Sequence, residues 1–331
     1  MSITSAYQRT ALAQLAIGAD PLTQVDEPVR ASLTHFIEAL REKGLLNQNS
    51  RQLSTPLRSL ADISESDIAI NQMRERSAPE LAQSEWIDGS GDGGTSIVAA
   101  RALHPIELSG RSRVITILFS LLLASGVSRV RFADRYFRPA ITNLDISFGT
   151  ILTSDLGGNY YEVSQSRRRE LSLFPIDRFA RDDLDISKPL MAIHYGDCDP
   201  EQLVEWAQNG IAHSVIHSPM GDEIVIGPLV LPGKSPCNRC LSLYEIDNFG
   251  FTQLERIPLT AVEELPAVTA HYVAAILAAQ ILHFIDQHNS PDASRISRNT
   301  GVGEITYINF QRLTEPQVVA IPRHPLCGCD R

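Results

Sequence analysis

Four of the five cysteines in this 331-residue chain lie in two short pairs that are far apart in sequence. Cys237 and Cys240 form a C-x-x-C pair, and Cys327 and Cys329 form a C-x-C pair. Two such pairs can together supply the four thiolate ligands of one tetrahedral site, so the pattern predicts a structural zinc bound by four sulfurs. The alternative is four separate buried thiols, because cysteine is often buried without any ligand role. A zinc here would tie residues 327–329 to a loop near the middle of the chain.

Charge and apolar patterning limit the partners and the compartment. With 29 basic and 39 acidic residues the formal net charge is −10, which disfavours attraction to nucleic acid or to anionic membranes. The longest apolar runs, at residues 114–124 and 273–282, are too short to span a bilayer, and no N-terminal stretch has the pattern of a secretory signal. We therefore expect a cytoplasmic protein, in which reducing conditions favour metal-ligating cysteines over disulfides. A pair of extracellular disulfides is the alternative.

Composition and periodicity divide the chain into three predicted segments. Residues 1–55 are expected to form a small helical module, and residues 56–98 a linker region with one helix. The glycine-rich stretch at 88–95 favours a flexible loop and marks the approach to a main domain at residues 99–331. The helices predicted before the main domain are 9–17, 27–46 and 62–76.

The main domain alternates short apolar strands with helices. This pattern predicts an α/β fold with a doubly wound, mostly parallel, Rossmann-like sheet. Two later strands alternate as half-buried strands do, and they predict an antiparallel extension of the sheet. The predicted strands are 106–108, 128–132, 190–194, 213–216, 224–230 and 304–310, and the predicted helices are 112–125, 199–208 and 268–288.

The turn after the first strand bears on nucleotide binding. In working nucleotide sites several glycines in this turn let the backbone approach phosphate, and an acidic residue after the second strand accepts from a ribose hydroxyl. Here the turn contains Gly110 alone, and Asp134 is the acidic residue. Ser112 and Arg113 would crowd a phosphate, so the turn is expected to connect strand and helix without binding. ATP binding, with arginines clamping the phosphates, is the alternative.

Other polar residues give weaker signals. Cys198 lies between Asp197 and Asp199, whose charges should raise its pKa and suppress the reactive thiolate. The arginine run at 167–169 is typical of a solvated turn, with contact to an acidic partner as the alternative. Three histidines near predicted strand ends suit a polar edge as readily as the role of ligand or base: His194, His213 and His217.

Several segments of the main domain resemble the ThiF/MoeB superfamily, whose fold is that of ubiquitin-activating enzymes. Residues 227–240 and 324–329, which carry the cysteine pairs, are similar to segments of members found in bacterial gene clusters for ribosomally made, modified peptides. The stretches ASGV at 124–127 and SDLG at 154–157 resemble the core of the same group. The resemblance covers roughly residues 100–331.

This resemblance implies a zinc held by the four paired cysteines and a fold that often forms homodimers. In catalytic members, ATP adenylates a C-terminal carboxylate, and the corresponding nucleotide residues here would be Gly110, Asp134 and Asp155. The incomplete glycine turn departs from that pattern, so we expect neither ATP nor magnesium and assign no catalytic residue. An ATP-dependent adenylyltransferase acting on a peptide or carrier-protein carboxylate is the alternative.

Members from peptide gene clusters frequently lack catalysis and instead bind the leader of a precursor peptide, which they present to a separate cyclodehydratase. In that group a winged-helix-like module holds the leader by adding a strand to a small sheet. Residues 10–46 resemble the helical part of such a module. The strands that would accept the leader are not evident in the sequence, so a plain helical cap is the alternative.

Overall fold

A computed structural model describes residues 5–16, 21–22, 25–42, 67–84, 94–133, 140–147, 149–174, 188–219, 221–250, 264–288 and 301–329. The chain divides into two compact units, residues 1–96 and 97–331. The predicted boundaries at residues 55 and 98 are a finer division, and they stay predictions.

The N-terminal unit contains helices α1 (Ala6–Ala16), α2 (Glu27–Glu42) and α3 (Asp67–Ser84). The apolar residues of α2 recur at helical spacing and their side chains are buried, as a helix with one core-facing side requires. Helix α3 runs eight residues past its predicted end at 76, because good helix formers such as Ala82 and Leu81 continue it beyond Pro79. No strand occurs in the part of this unit that the structure describes, so the winged-helix-like module stays a prediction.

The second unit is built on a seven-stranded sheet with the order β2-β1-β3-β4-β5-β6-β7. Strands β1 to β4 are parallel, and β5, β6 and β7 extend the sheet in antiparallel fashion. The predicted mixed α/β sheet with a parallel centre is therefore confirmed. The strands are β1 (Ile106–Ser109), β2 (Val130–Phe132), β3 (Met191–Tyr195), β4 (Ala212–Ile216), β5 (Glu223–Ile226), β6 (Glu304–Asn309) and β7 (Gln317–Ala320).

The strand order determines where a ligand crevice can form. β1 lies between β2 and β3, with Ile106 paired to Val130 on one side and to Met191 on the other. After β1 the chain therefore forms β2 on one side of it, and it later returns to form β3 on the other side. In open α/β sheets such a switch point, at the carboxyl ends of the strands, is where ligands bind.

The remaining helices of this unit are α4 (Thr95–Arg101), which begins at the unit boundary, α5 (Arg113–Ala124), α6 (Tyr160–Leu171), α7 (Pro200–Gln208), α8 (Asn238–Phe249) and α9 (Ala267–His288). Helix α5 is buried nearly all round and packs against α9. At the other side of this core, Arg101 donates two hydrogen bonds to Asp286, at 2.7 and 2.6 Å, with both side chains buried. Water cannot solvate either charge at this buried position, so each side chain needs the other as its partner. The ion pair therefore joins α4 to α9.

Helix α9 agrees with the predicted helix at 268–288 to within one residue, and it extends beyond the apolar run at 273–282. Among the described residues, α9 is the one helix that is long enough and apolar enough to cross a membrane, judged by length and composition alone. In the fold, 44% of its most apolar 18-residue segment is buried. Its packing on α5 accounts for that composition, since a helix in the core of a soluble protein passes the same test.

One predicted strand end is wrong, and four elements are absent from the prediction. The strand predicted at 224–230 ends at Ile226, because Gly227 and Pro228 follow and proline has no N–H to donate to a sheet. The elements that periodicity did not show are α4, α6, α8 and β7. Helix α6 is strongly polar and β7 is largely exposed, so neither has a clear apolar face.

Candidate metal centre and nucleotide crevice

The four paired cysteines come together in the structure. Their sulfur atoms all lie within 4.8 Å of one another. The Sγ–Sγ distances are 3.9 Å for Cys237–Cys240, 3.3 Å for Cys237–Cys327 and 3.5 Å for Cys240–Cys329. Four sulfurs bound to one zinc at about 2.3 Å would lie about 3.8 Å apart. The cluster therefore has the size of a tetrathiolate site and can hold one metal ion.

Local backbone structure positions each pair. Cys237 is the N-cap of α8 and Cys240 lies in its first turn, so both sulfurs are near the start of that helix. Between Cys327 and Cys329, Gly328 has a φ of +71°, a left-handed conformation that favours glycine. This turn lets both sulfurs of the second pair reach the cluster.

Hydrogen bonds hold the C-terminal segment beside α8. The backbone N–H of His324 donates to the Cys240 sulfur at 3.4 Å, and its ring Nε2 lies 2.9 Å from a carboxylate oxygen of Asp247. Arg323 donates to the carbonyl oxygen of Gly233 at 2.7 Å. Two further basic residues lie near the first cysteine pair in sequence, and their side chains are exposed: Lys234 and Arg239.

Burial and the closeness of the sulfurs shift the pKa values of three of the four thiols. Burial raises the pKa of Cys240, but hydrogen bonds from neighbouring backbone and thiol groups outweigh it and lower the pKa to about 7. Burial and the neighbouring sulfurs raise the pKa of Cys327, and the same two causes raise that of Cys329 to about 11. Four thiolates this close repel one another, and a divalent cation removes that repulsion.

The residues present fit a metal ion with a structural role. A zinc bound to all four sulfurs would have a complete tetrahedral shell, with no position left for water or substrate. Such a site stabilises a fold and does not activate a nucleophile. Its sulfurs would link α8 to residues 327–329.

A second candidate site lies at the carboxyl ends of β1 and β3. Gly110 follows β1 with a φ of +83°. A Cβ at this position would overlap the carbonyl oxygen of Tyr195, the last residue of β3. The glycine therefore allows the two strands to pack closely at the switch point, and this packing requires it without any ligand.

The N-terminus of α5, where a nucleotide phosphate would bind, holds a side chain of the protein itself. Glu264 accepts hydrogen bonds from the Ser112 hydroxyl and from the Arg113 backbone N–H, both at 3.0 Å. It also accepts from the backbone N–H of Leu265 at 2.9 Å. Helix N-termini bind anions through such N–H groups. The Glu264 carboxylate thus makes the contacts that a phosphate would make.

The two arginines of this turn also have partners within the protein. Arg111 donates to both carboxylate oxygens of Asp145, at 3.1 and 2.5 Å. Burial raises the pKa of Asp145, but the Arg111 guanidinium and two hydrogen bonds from Thr142 together outweigh burial and hold that pKa below its usual range. Arg113 donates to the carbonyl oxygens of Leu144 and Leu265, at 2.6 and 3.2 Å. Neither guanidinium is directed to a free anion position, so a phosphate clamp would require both to change partners.

Of the two acidic residues predicted for the nucleotide site, the structure describes Asp155 but not Asp134. Asp155 pairs with Arg167 at 2.9 Å and accepts from the backbone N–H of Leu152 at 2.7 Å. These contacts stabilise the turn before α6. Asp134 lies outside the described residues, so its role stays a prediction.

The arginine run at 167–169 is not a solvated turn, and that prediction is wrong. It lies within α6, where Arg167 is half-buried and Arg168 is only 4% exposed. Arg168 donates to the carbonyl oxygens of Ser128 and Val130, beside β2. Tertiary packing therefore overrides the polar composition of this segment.

Among the described residues, the isolated cysteine and histidines do not form a cluster that could hold a metal ion. Burial, and to a lesser extent the charge of Asp199, raises the pKa of Cys198 to about 11, which is the direction expected from the sequence. His213 is buried and donates from Nδ1 to the Ile211 carbonyl oxygen at 3.0 Å. His194 Nδ1 lies 2.8 Å from the Ser109 hydroxyl at the end of β1.

Sequence reasoning missed Glu264 and Asp145, the two carboxylates that occupy the crevice. Glu264 lies 151 positions from Arg113, and Asp145 lies 34 positions from Arg111. No spacing rule connects residues so far apart. The only available signal was the pair of arginines in a poor phosphate turn, which need carboxylate partners when they are packed against the protein.

No protein-family profile matches the chain, and no curated protein does. Solved structures do match it over nearly its full length. The crystal structure of PaaA has a TM-score of 0.60 at 16% identity, and the match covers 97% of this chain and 91% of that one.

Structures of Escherichia coli MccB also match. The complex with MccA-N7isoASN has a TM-score of 0.53 at 14% identity and covers 100% of this chain and 92% of that one. The ATP complex has a TM-score of 0.52 at 16% identity, with coverages of 99% and 86%. MccB is described as a microcin C7 biosynthetic enzyme and is also found in complex with N-formylated MccA. At these identities the likeness shows that the chain shares the fold of these structures.

Proposed function

We propose that this chain is a non-catalytic ThiF-like scaffold with a structural zinc. In this role it binds the leader of a ribosomally made precursor peptide in the cytoplasm and presents it to a modifying enzyme of the cyclodehydratase class. The N-terminal unit would hold the leader. The sheet and the four-cysteine cluster would form the rigid body that docks onto the enzyme, as a monomer or a homodimer.

The position of Glu264 carries this proposal. An adenylating site must receive the phosphates of ATP at the N-terminus of α5, and there Glu264 accepts from both Ser112 and Arg113. A carboxylate and a phosphate repel each other at such close range, so ATP can bind only if Glu264 leaves. The pairing of Arg111 with Asp145 removes a second group that could neutralise phosphate.

The structural neighbours support the peptide-binding part of the proposal. MccB shares the fold and has been crystallised with the peptide MccA. The helices α1 and α2 fit the helical part of a peptide-binding module. The structural match to MccB includes both helices.

Leader binding is tested by titrating the purified full-length protein with a fluorescently labelled leader peptide encoded in its own gene neighbourhood. We expect saturable binding at micromolar concentration and none to a scrambled leader of the same composition. Absence of binding at high micromolar concentration, with the zinc content intact, would count against the scaffold.

The lack of catalysis is tested separately with ATP. We expect no heat of binding when Mg-ATP is titrated into the protein, and no ATP–pyrophosphate exchange in the presence of the precursor peptide. E. coli MccB serves as the positive control, since its structure includes an ATP complex. Exchange that depends on magnesium and disappears in Asp155→Asn would establish the adenylyltransferase instead.

A further inference from the structure

The cysteine cluster is open to solvent on one side. A cavity of about 480 Å³ lies beside it, and three of the four cysteines line this cavity: Cys237, Cys327 and Cys329. The wall also includes Val204, which is 53% exposed, so the cavity reaches the protein surface. A small uncharged solute such as hydrogen peroxide can therefore approach the sulfurs from this side.

The four cysteines differ in exposure. Cys237 and Cys329 are half-buried, whereas Cys240 and Cys327 are buried. Each half-buried sulfur lies close to a buried sulfur of the other pair, at 3.3 Å from Cys237 to Cys327 and 3.5 Å from Cys329 to Cys240. Within the first pair, the sulfurs of Cys237 and Cys240 are farther apart, at 3.9 Å. Each sulfur that an oxidant can reach therefore has a neighbour in the other pair that can react next.

Oxidation of such thiolates by peroxide takes two steps. An accessible thiolate attacks one oxygen of the peroxide, the O–O bond breaks, and a sulfenic acid and hydroxide form. The neighbouring thiolate then attacks that sulfur, expels a second hydroxide and forms a disulfide. For the whole cluster, four thiolates give four electrons to two peroxide molecules, and four protons from solvent complete four molecules of water. The sulfurs then lack thiolate charge and no longer hold a zinc ion.

The turn at residues 327–329 allows the bonds between the pairs to form. An S–S bond is about 2.0 Å long, so the two sulfurs of each such bond must approach by roughly 1.5 Å or less. Gly328 is exposed, and a Cβ placed on it would meet no atom within 4 Å, so the turn has room to move. A bond between Cys327 and Cys329 would instead have to form inside one three-residue turn, where the specific geometry of a disulfide is hard to reach.

We propose that the cluster is a site of peroxide oxidation that forms two disulfides, Cys237–Cys327 and Cys240–Cys329. Oxidation releases the metal, yet residues 327–329 stay linked to α8, because both bonds join one pair to the other. Disulfides within each pair would release that segment instead. The proposal rests on the four-sulfur zinc site and not on leader binding.

The test treats the zinc-loaded full-length protein with millimolar hydrogen peroxide at neutral pH. Zinc release is followed with a chromogenic chelator, and free thiols are counted in denaturant after the peroxide has been removed. We expect one zinc released per chain and four of the five thiols lost. Dithiothreitol should restore all four thiols, and catalase added before the peroxide should prevent both changes.

Tryptic mapping without reduction identifies the disulfides. Cleavage after Arg239 separates Cys237 from Cys240, whereas the second cysteine pair stays in one peptide, 324–331. Bonds between the pairs link that peptide to 235–239 and to 240–256 in a single three-peptide species. Disulfides within the pairs leave 324–331 unlinked to either. Fragmentation of the linked species at Gly328 shows which partner each cysteine carries.

Cys198→Ser is the matched control variant. Cys198 lines the same cavity but is not part of the cluster, so its replacement should leave the rate of zinc release and the disulfide map unchanged. Loss of the disulfides in this variant would place the first oxidation at Cys198 and contradict the proposal.

Three further results would overturn the proposal: zinc and all thiols retained in peroxide, any disulfide map other than the two bonds named, or oxidation to sulfinic acid in place of disulfides. A protein that carries stoichiometric zinc and binds the labelled leader, but gives one of these results, would retain the scaffold function and lose this oxidation site.

Discussion

Glu264 is the residue on which the proposed lack of ATP binding depends. Its carboxylate is held by the hydroxyl of Ser112, which is fully buried, and by the Arg113 N–H. The interaction caps α5 and places a negative charge at the positive end of its dipole. One side chain therefore stabilises the helix and fills the position that a phosphate would need.

Replacing Glu264 by alanine should destabilise the protein by about 1–3 kcal/mol, because buried donors lose a charged acceptor. Chemical denaturation measures the change. The matched control is Glu162→Ala, which removes an exposed carboxylate from the first turn of α6 and should change stability by less than about 0.5 kcal/mol.

The cost of Glu264→Ala should also depend on pH. Burial raises the pKa of Glu264 in the folded protein despite the hydrogen bonds that lower it. A carboxyl with a raised folded-state pKa contributes most below its unfolded-state pKa, and its contribution falls as pH rises through the folded-state value. The difference between wild type and variant should thus be larger at about pH 4 than at about pH 7. A difference that grows towards neutral pH would contradict this placement of the carboxylate.

Among the elements, α6 shows how a polar helix is fixed to the sheet. Arg168 reaches from this helix to the carbonyl oxygens of Ser128 and Val130, and its guanidinium lies 5.5 Å from the centre of the Phe119 ring. The planar guanidinium satisfies two carbonyls and stacks on an aromatic ring at once, which lysine could not do. The arginine is therefore part of the core between α6, β2 and α5.

Arg168→Leu should cost about 2–5 kcal/mol, because two buried carbonyls lose their donor while the volume stays similar. Thermal and chemical unfolding measure this loss. Arg312→Leu, at an exposed arginine after β6, is the control and should change stability by less than about 0.5 kcal/mol. Equal effects of the two substitutions would show that Arg168 is solvated as its sequence context suggested.

At the scale of the whole molecule, the cysteine cluster connects segments that are 90 residues apart, such as Cys237 and Cys327. No regular element holds residues 321–329. Ile321 packs in an apolar cluster with Val225, Leu241 and Ile305, and the residues after it are held by a few hydrogen bonds and by the cysteine cluster. A bound metal would supply the cohesion that a strand or helix supplies elsewhere.

Cys327→Ser should abolish stoichiometric zinc and lower the unfolding free energy by about 3 kcal/mol or more. Metal analysis of the purified protein and its thermal unfolding measure the two effects. Cys198→Ser is the matched control, because this fifth cysteine lies outside the cluster and should leave the zinc content unchanged. Full zinc content in Cys327→Ser would rule out the four-sulfur site.

The sequence by itself determined the order of most strands and helices in the second unit and the four cysteines that meet. Both follow from short-range patterns: apolar periodicity reports which face of an element is buried, and close thiol pairs report ligands that a helix start or a tight turn can direct together. Even where it missed elements, as at α6, the cause was local. The buried residues of that helix include Ser164 and Arg168, which give no apolar periodicity.

Only the tertiary structure decided what fills the crevice, which arginines are buried and where a cavity forms beside the cysteines. Each of these depends on contacts between residues far apart in the chain, such as Glu264 with Arg113. Such contacts are selected by the complete packing of the fold, because the energy of burying a charge depends on which partner reaches it. No local pattern in the sequence contains that information.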